Sequence, residues 1–198
     1  MNLVSRVQGL ILKPKEEWDK IKGEPATVAD IFKSYLMIMV AIPAVAQFLG
    51  FWLIGVSVPF RMTVRMSLGS SLGRAIVSYI LSLASVFILA LIINALAPTF
   101  SSKPDQVQSL KLAAYSLAPY YVAGIFYLIP VLSFLTVLAG LYSLYVLYLG
   151  FKAGLMETPP DKIMGYFVIS LVVGIVLMLV VGLVVGAIFS LSAFYGGL

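Results

Sequence analysis

The side chains of this sequence that could do chemistry are hydroxyls and amides placed within long apolar stretches. Ser78, Ser82 and Ser85 recur at the spacing that puts side chains on one face of a helix. The other polar candidates are Ser116, Tyr120, Tyr127, Tyr142, Asn94 and Gln47. Such groups can hydrogen-bond helices to one another, or they can line a hydrated cavity or pore. The residues alone leave both interpretations open.

Most kinds of catalytic site are excluded by what the sequence lacks. It contains no cysteine and no histidine, so it has no thiolate nucleophile, no imidazole base and no cysteine–histidine zinc site. No acidic or basic residue lies well inside an apolar stretch, which leaves Ser70 and Ser71 without a base to activate them. We therefore expect no enzyme activity, no catalytic residue, no metal and no cofactor.

A second candidate site is the segment from 58 to 74, which carries Arg61, Arg65 and Arg74. A turn of small residues that includes Ser71 comes just before the last of these arginines. Arginines beside a helix N-terminus can hold a phosphate, and arginines in an interfacial loop can equally reach lipid phosphates. Either interpretation makes anionic lipid the first ligand to test, and nucleic acid is not an expected partner.

The composition requires an apolar environment around the protein. Of the 198 residues, 62% are hydrophobic and 11% are charged, whereas soluble domains average about 45–50% apolar and about 25% charged residues. A soluble fold of this size buries only about 70% of its surface, so it could not hide so much apolar area. The sequence therefore predicts an all-α, polytopic integral membrane protein.

Five apolar stretches reach the roughly 20 residues that a membrane-spanning helix needs. They form a predicted transmembrane domain over residues 31–198, with spans at about 31–57, 75–97, 112–130, 133–151 and 164–191. Helix starts are indicated where a hydroxyl precedes a carboxylate by three residues, a pattern typical of N-caps. That pattern occurs at Thr27–Asp30, Ser102–Asp105 and Thr158–Asp161.

The first 30 residues form a short amphipathic segment. Val4, Val7, Leu10 and Ile11 share one helical face, and Trp18 follows in a second short helix. This pattern is typical of a segment lying in the membrane interface, with Trp18 as an anchor at the level of the headgroups. The alternative is a helix packed under the bundle by the same residues.

The distribution of lysine and arginine predicts the orientation. If the N-terminus is cytoplasmic, the inner segments carry ten of these residues and the outer segments carry three. Short cytoplasmic loops are enriched in positive charge, so we expect the C-terminus outside. The predicted location is the cell (inner) membrane, or a secretory-pathway membrane if the source is eukaryotic.

Three stretches together resemble the Yip family of Ypt/Rab-interacting membrane proteins, in particular its short prokaryotic branch. They are Leu12–Trp18, the stretch Tyr115–Tyr121 followed by Gly124, and Gly140–Tyr145 continuing to Gly150. The resemblance implies a five-helix membrane domain and, in eukaryotic members, roles in vesicle traffic and binding of lipidated Rab GTPases. Those members carry an Asp-Leu-Tyr-Gly-Pro motif that this sequence lacks.

Two functions from different classes follow from these features. The first is a non-enzymatic membrane scaffold or adaptor of the Yip type, which organises lipid or a membrane partner protein. The alternative is a channel or transporter for ions or small solutes, lined by the serine and tyrosine face. The candidate partners are membrane lipids, anionic ones among them, a membrane partner protein, and a second copy of the chain.

Overall fold

The computed structural model describes residues 2–57 and 63–195, and over these residues it is almost entirely helical. The helices, in chain order, are α1 (Leu3–Leu12), α2 (Pro14–Gly23), α3 (Val28–Ile54), α4 (Leu68–Leu96), α5 (Gln106–Ser116), α6 (Ala118–Ala123), α7 (Leu135–Lys152) and α8 (Ile163–Tyr195). Short 3-10 turns occupy Ala97–Phe100, Gly124–Leu128 and Pro130–Phe134, and α3 contains π turns at Phe32–Leu36 and Gly50–Ile54. Two two-residue strands, β1 (Val56–Ser57) and β2 (Thr63–Val64), pair antiparallel.

Within the described residues, four helical runs are long and apolar enough to cross a membrane. They are Val28–Ile54, Leu68–Phe100, Pro130–Lys152 and Ile163–Phe189. These runs confirm the all-helical membrane class and match four of the five predicted spans. The count of five is not confirmed, because the remaining predicted span, 112–130, is not one continuous helix.

That remaining segment is broken where α5 meets α6. Leu117 has φ −83° and ψ 3°, outside the helical range, and Pro119 follows within the first turn of α6. A proline is tolerated in a first turn because its missing N–H has no intrahelical partner there. The backbone beyond α6 then tightens into the 3-10 turn Gly124–Leu128.

The helices α1 and α2 form a hairpin at one end of the bundle, which we call the hairpin end. Lys111 Nζ, from the middle of α5, donates to the carbonyl of Ile21 in α2 at 2.8 Å. Two loops, 97–105 and 153–162, meet at the same end, where Lys103 N donates to Met156 O at 2.9 Å. The chain therefore leaves α4 and α7 at the same end of the molecule, and this is also the end where α3, α5 and α8 begin.

Different contacts define the opposite end. Met66 N donates to Phe51 O at 3.2 Å, which joins the start of α4 to the last turn of α3. An added Cβ on Gly50 would lie 2.2 Å from Tyr127 O, so the backbone of the turn Gly124–Leu128 touches the same part of α3. The segment 106–128 thus extends from the hairpin end to the opposite end, although it is not a single helix.

The helix starts only partly follow the predicted caps. Thr27 and Asp30 form the predicted capping box, with Asp30 N donating to Thr27 Oγ1 at 3.1 Å. The prediction was wrong for Ser102 and Thr158, because these hydroxyls hydrogen-bond to each other at 2.9 Å. Asp105 itself caps α5. The helix α4 also begins earlier than predicted, at Leu68 with Ser67 as its N-cap, since the small residues before Arg74 are already helical.

Candidate functional site

A cavity of about 200 Å³ lies between α4, the junction of α5 and α6, α7 and α8. Its polar lining consists of Ser82, Ser85, Ser116, Tyr120, Tyr121, Ser143 and Ser170, and the rest of the lining is apolar. The side chains that line it include no charged group. The cavity is therefore suited to uncharged or apolar ligands, and it offers no charged acid or base for catalysis.

The structure brings together part of the predicted polar face. Four predicted residues, Ser82, Ser85, Ser116 and Tyr120, line the cavity. Five others, Ser78, Tyr127, Tyr142, Asn94 and Gln47, are not part of its lining. The last helix, α8, contributes one wall of the cavity.

Hydroxyls around the cavity mostly bond to the protein itself. Ser85 Oγ donates to Leu81 O at 2.8 Å within its own helix. Ser143 Oγ donates to Ala139 O at 3.0 Å and accepts from the backbone N–H of Tyr120 at 3.2 Å. The bond between Tyr120 and Ser143 joins α6 to α7, whereas the bond of Ser85 lies within its own helix.

Two of the predicted tyrosines serve other contacts. Tyr127 OH lies 3.5 Å from Tyr120 OH and accepts from Thr136 Oγ1 at 3.2 Å. Tyr142 OH donates to the carbonyl of Ile11 at 2.7 Å and so holds the end of α1 against α7.

Ser170 differs from Ser85, Ser116 and Ser143, whose hydroxyls all bond to backbone carbonyls. It is 1% exposed, and its hydroxyl oxygen has no hydrogen-bond partner among the described residues. A buried, unsatisfied polar group costs about 1–3 kcal/mol. Ser170 therefore marks a place where the cavity can still accept a hydrogen-bonding ligand.

The N-terminal hairpin forms a second candidate site, with Trp18 at its centre. Trp18 is fully buried, and its indole N–H donates to the carbonyl of Val146 in α7 at 2.9 Å. Its ring contacts Tyr115 edge-on at 6.5 Å between centroids. Trp18 is therefore not the lipid-facing anchor that the sequence predicted. Its contacts are those of the alternative, in which these residues pack the segment under the bundle.

Buried charges complete the contact between the hairpin and the bundle. Arg6, 4% exposed, donates from Nη1 to Glu17 Oε1 at 2.6 Å and pairs with Glu24, and its guanidinium lies 5.8 Å from the centre of the Tyr115 ring. Lys111, 2% exposed, donates to the carbonyls of Ile21 and Glu24 at the end of α2. A cation at a helix C-terminus satisfies the last carbonyls and complements the helix dipole.

The residues of the predicted anion site have different surroundings. Arg61 lies outside the described residues. Arg65 is exposed, and the Arg74 guanidinium lies 5.4 Å from the centre of the Phe51 ring. Ser71 is 1% exposed, and its hydroxyl has no partner among the described residues. Protein packing, and not an open surface, therefore surrounds Ser71.

Several residues of both sites were missed from the sequence. Arg6 entered the sequence analysis only through the count of positive charges, and Glu17 only as part of the stretch Leu12–Trp18. The one local signal for Glu17 is its neighbour Trp18, which is buried with it. Ser143 and Ser170 were not predicted as site residues, and only the packing of α7 and α8 brings them to the cavity.

Comparison with known proteins identifies the family of the chain. A family model described as "Yip1 domain" matches residues 9–183. The chain is similar to the protein named "Inner membrane protein YohC" of Escherichia coli K12, at 28% identity over 151 residues, covering 74% of this chain and 77% of that relative. The protein of the same name from Escherichia coli O6:H1 matches to the same extent. No solved structure matches.

Proposed function

The chain belongs to the Yip1 family of membrane proteins, and from this premise we propose that it is a non-enzymatic scaffold that organises lipid or a membrane partner protein. The observation that carries the proposal is the docked hairpin of α1 and α2. Trp18 and Lys111 hold the hairpin under the bundle, through bonds to Val146 and from α5 to the end of α2, and the Arg6–Glu17 pair joins α1 to α2. A scaffold needs such a fixed surface, because a partner then binds without first ordering the segment.

The outer face of the hairpin supplies a surface for a partner. Lys15, Asp19 and Lys20 are exposed, and Lys13 pairs with Glu16 at 3.5 Å in a solvent-exposed bridge. Mixed charges of this kind select partners by electrostatic complementarity more than by raw affinity. The channel alternative has no such support, since the lining of the cavity is largely apolar and carries no charge.

We place the protein in the inner membrane, with the hairpin end in the cytoplasm and five crossings. The family and the named relative support the membrane. Because segment 106–128 reaches from the hairpin end to the opposite end, it supplies the remaining crossing. The lysines of the two loops and of the hairpin gather at the hairpin end, as cytoplasmic charges do, while Arg65 and Arg74 belong to the opposite end.

Anionic lipid remains the first lipid to test at the opposite end. Arg74 lies over an aromatic ring there and Arg65 is exposed, so both guanidinium groups can meet lipid phosphates from an interfacial position. Replacing Arg61, Arg65 and Arg74 together by glutamine should reduce the bound anionic lipid seen in native mass spectra. Unchanged lipid retention would remove this part of the proposal.

The experiment that tests the scaffold is site-specific photo-crosslinking in membranes. A photoreactive residue at Lys15 or Asp19, on the exposed face of the hairpin, should give a discrete adduct. The same residue at Leu72, exposed at the opposite end, is the matched control. An adduct of twice the mass of the chain would identify the partner as a second copy.

Undocking the hairpin sharpens this test. Replacing Trp18 by alanine in the photoreactive protein should abolish the adduct, because the surface is then no longer fixed. If Lys15 and Asp19 give no adduct beyond that of the Leu72 control, the scaffold proposal fails.

A further inference from the structure

We propose that the cavity between α4, the α5–α6 junction, α7 and α8 binds an uncharged lipid that carries an ester or hydroxyl group, of the diacylglycerol type. This inference goes beyond the proposed function, which rests on the hairpin. It concerns a separate site, made from residues that the scaffold does not use.

The size and opening of the cavity fit part of a lipid. A cavity of about 150 Å³ holds a molecule as large as benzene, and this one measures about 200 Å³. Two of its liners in α8, Ile175 and Met178, are also 47% and 58% exposed. The cavity therefore opens sideways along α8, so a bound group can enter it while the rest of an acyl chain stays in the bilayer.

The polar groups that line the cavity favour an uncharged ligand. The cavity lining holds no charged side chain to neutralise a phosphate or an ammonium. An unpaired charge deep in a membrane costs several kcal/mol. The buried hydroxyl of Ser170 has no partner within the described part of the chain, and it can donate to an ester carbonyl or bond to a hydroxyl.

The depth of the cavity along the helices also favours an uncharged lipid. Ser170 lies seven residues after the start of α8 at Ile163, which is about 10 Å along a helix that rises 1.5 Å per residue. Ser82 and Leu89 lie in the middle of the run Leu68–Phe100. A phosphate-bearing headgroup stays near the surface of a bilayer, whereas the small polar end of an uncharged glyceride can reach this depth.

The test uses two photoactivatable lipids of matched acyl chains, one a diacylglycerol and the other a phosphatidylglycerol, with the full chain in nanodiscs. The diacylglycerol should label peptides from the cavity walls, and excess unlabelled diacylglycerol should compete. Ser170→Val, which removes the hydroxyl at similar volume, should lower labelling about three- to tenfold, as loss of one hydrogen bond predicts. Gly174→Leu, which places a large side chain among the liners, should abolish it.

Ser78→Val is the matched control, since Ser78 lies on α4 outside the lining, and it should label like the unchanged protein. Ser170→Val should melt no lower than the unchanged protein without added lipid, because it removes an unsatisfied hydroxyl. Labelling that survives Gly174→Leu would overturn the proposal. So would equal labelling of the same peptides by phosphatidylglycerol, which would assign the cavity to lipid tails in general.

Discussion

Trp18 is the residue on which attachment of the hairpin most depends. Its indole is fully buried and donates to Val146 O. Trp18→Phe should lower the stability by about 1 kcal/mol, the worth of one hydrogen bond, with a further loss of packing. Trp18→Ala should cost about 3–5 kcal/mol through the cavity that it leaves. Thermal unfolding in detergent measures both, and Leu12→Ala, at a residue 75% exposed, should change nothing.

Gly150 provides the space that Trp18 occupies. A Cβ added there would lie 2.6 Å from Leu112 Cδ2 and 2.9 Å from Trp18 Cζ2. Gly150→Ala should therefore destabilise the protein by about 1–3 kcal/mol through overpacking and should expose α2 to protease. Gly182→Ala is the matched control, because nothing lies within 4 Å of its added Cβ. Equal protease resistance in the two variants would contradict this account of the hairpin.

For single residues, the sequence predicted which side chains share a helical face better than it predicted what surrounds them. Helical spacing was enough to group Ser82 with Ser85, and both do line the cavity. The same reasoning placed Trp18 at the headgroups, because an aromatic residue near lysines has the composition of a membrane interface. Its burial depends on α7, 128 residues away along the chain, and no local pattern contains that contact.

Among the elements, the broken segment formed by α5 and α6 depends on a single serine of α7. The N–H of Tyr120 follows the break at Leu117 and finds its acceptor in Ser143 Oγ at 3.2 Å. Ser143→Ala leaves that donor unsatisfied in apolar surroundings, which should cost about 1–3 kcal/mol. Hydrogen exchange at the Tyr120 amide should speed up by about five- to 140-fold, since 1.4 kcal/mol is a factor of ten.

Ser78→Ala serves as the control for this prediction, because Ser78 is half-buried on α4 and outside the cavity lining. The exchange rate at Tyr120 should not change in it. An unchanged rate in Ser143→Ala as well would mean that water or another group satisfies the amide, and that the break does not need α7.

The sequence predicted the long apolar helices at this scale because length and hydropathy are local properties. Pro119 lies within the predicted span 112–130 and indicates an interruption there, but the sequence does not show whether the helix kinks or ends. A proline marks either a kink within a helix or the first turn of a new one. The choice depends on whether a neighbouring helix satisfies the freed backbone group, and only the packing of α7 shows that it does.

Considered as a whole, the molecule uses buried charges to close its hairpin and to attach it to the bundle, because Arg6 pairs with Glu17 of α2 and lies over Tyr115 of α5. Arg6→Ala would leave Glu17, which is 6% exposed, with the exposed Lys20 as its ion-pair partner among the described residues. Removing one member of a buried pair costs about 3–5 kcal/mol. The bundle should remain folded in this variant while the hairpin becomes sensitive to protease. Lys15→Ala, which removes an exposed charge, should leave the cleavage pattern unchanged.

The orientation of the whole molecule can be tested by chemical labelling, because the chain has no cysteine of its own. Single cysteines at Lys15, Lys103 and Lys162 all lie at the hairpin end, so an impermeant maleimide should reach them only after the membrane is opened. A cysteine at Arg65, at the opposite end, should react in intact spheroplasts.

A cysteine appended after Leu198 then determines the number of crossings. Five crossings put the two termini on opposite sides of the membrane, so this cysteine should react in intact spheroplasts as the cysteine at Arg65 does. Four crossings would put it on the side of Lys15, protected until the membrane is opened. In that case segment 106–128 could not be a crossing, even though the turn around Tyr127 lies against Gly50 at the opposite end. Reaction in intact spheroplasts would instead make the broken segment a true membrane span, with Ser143 satisfying its backbone within the bilayer.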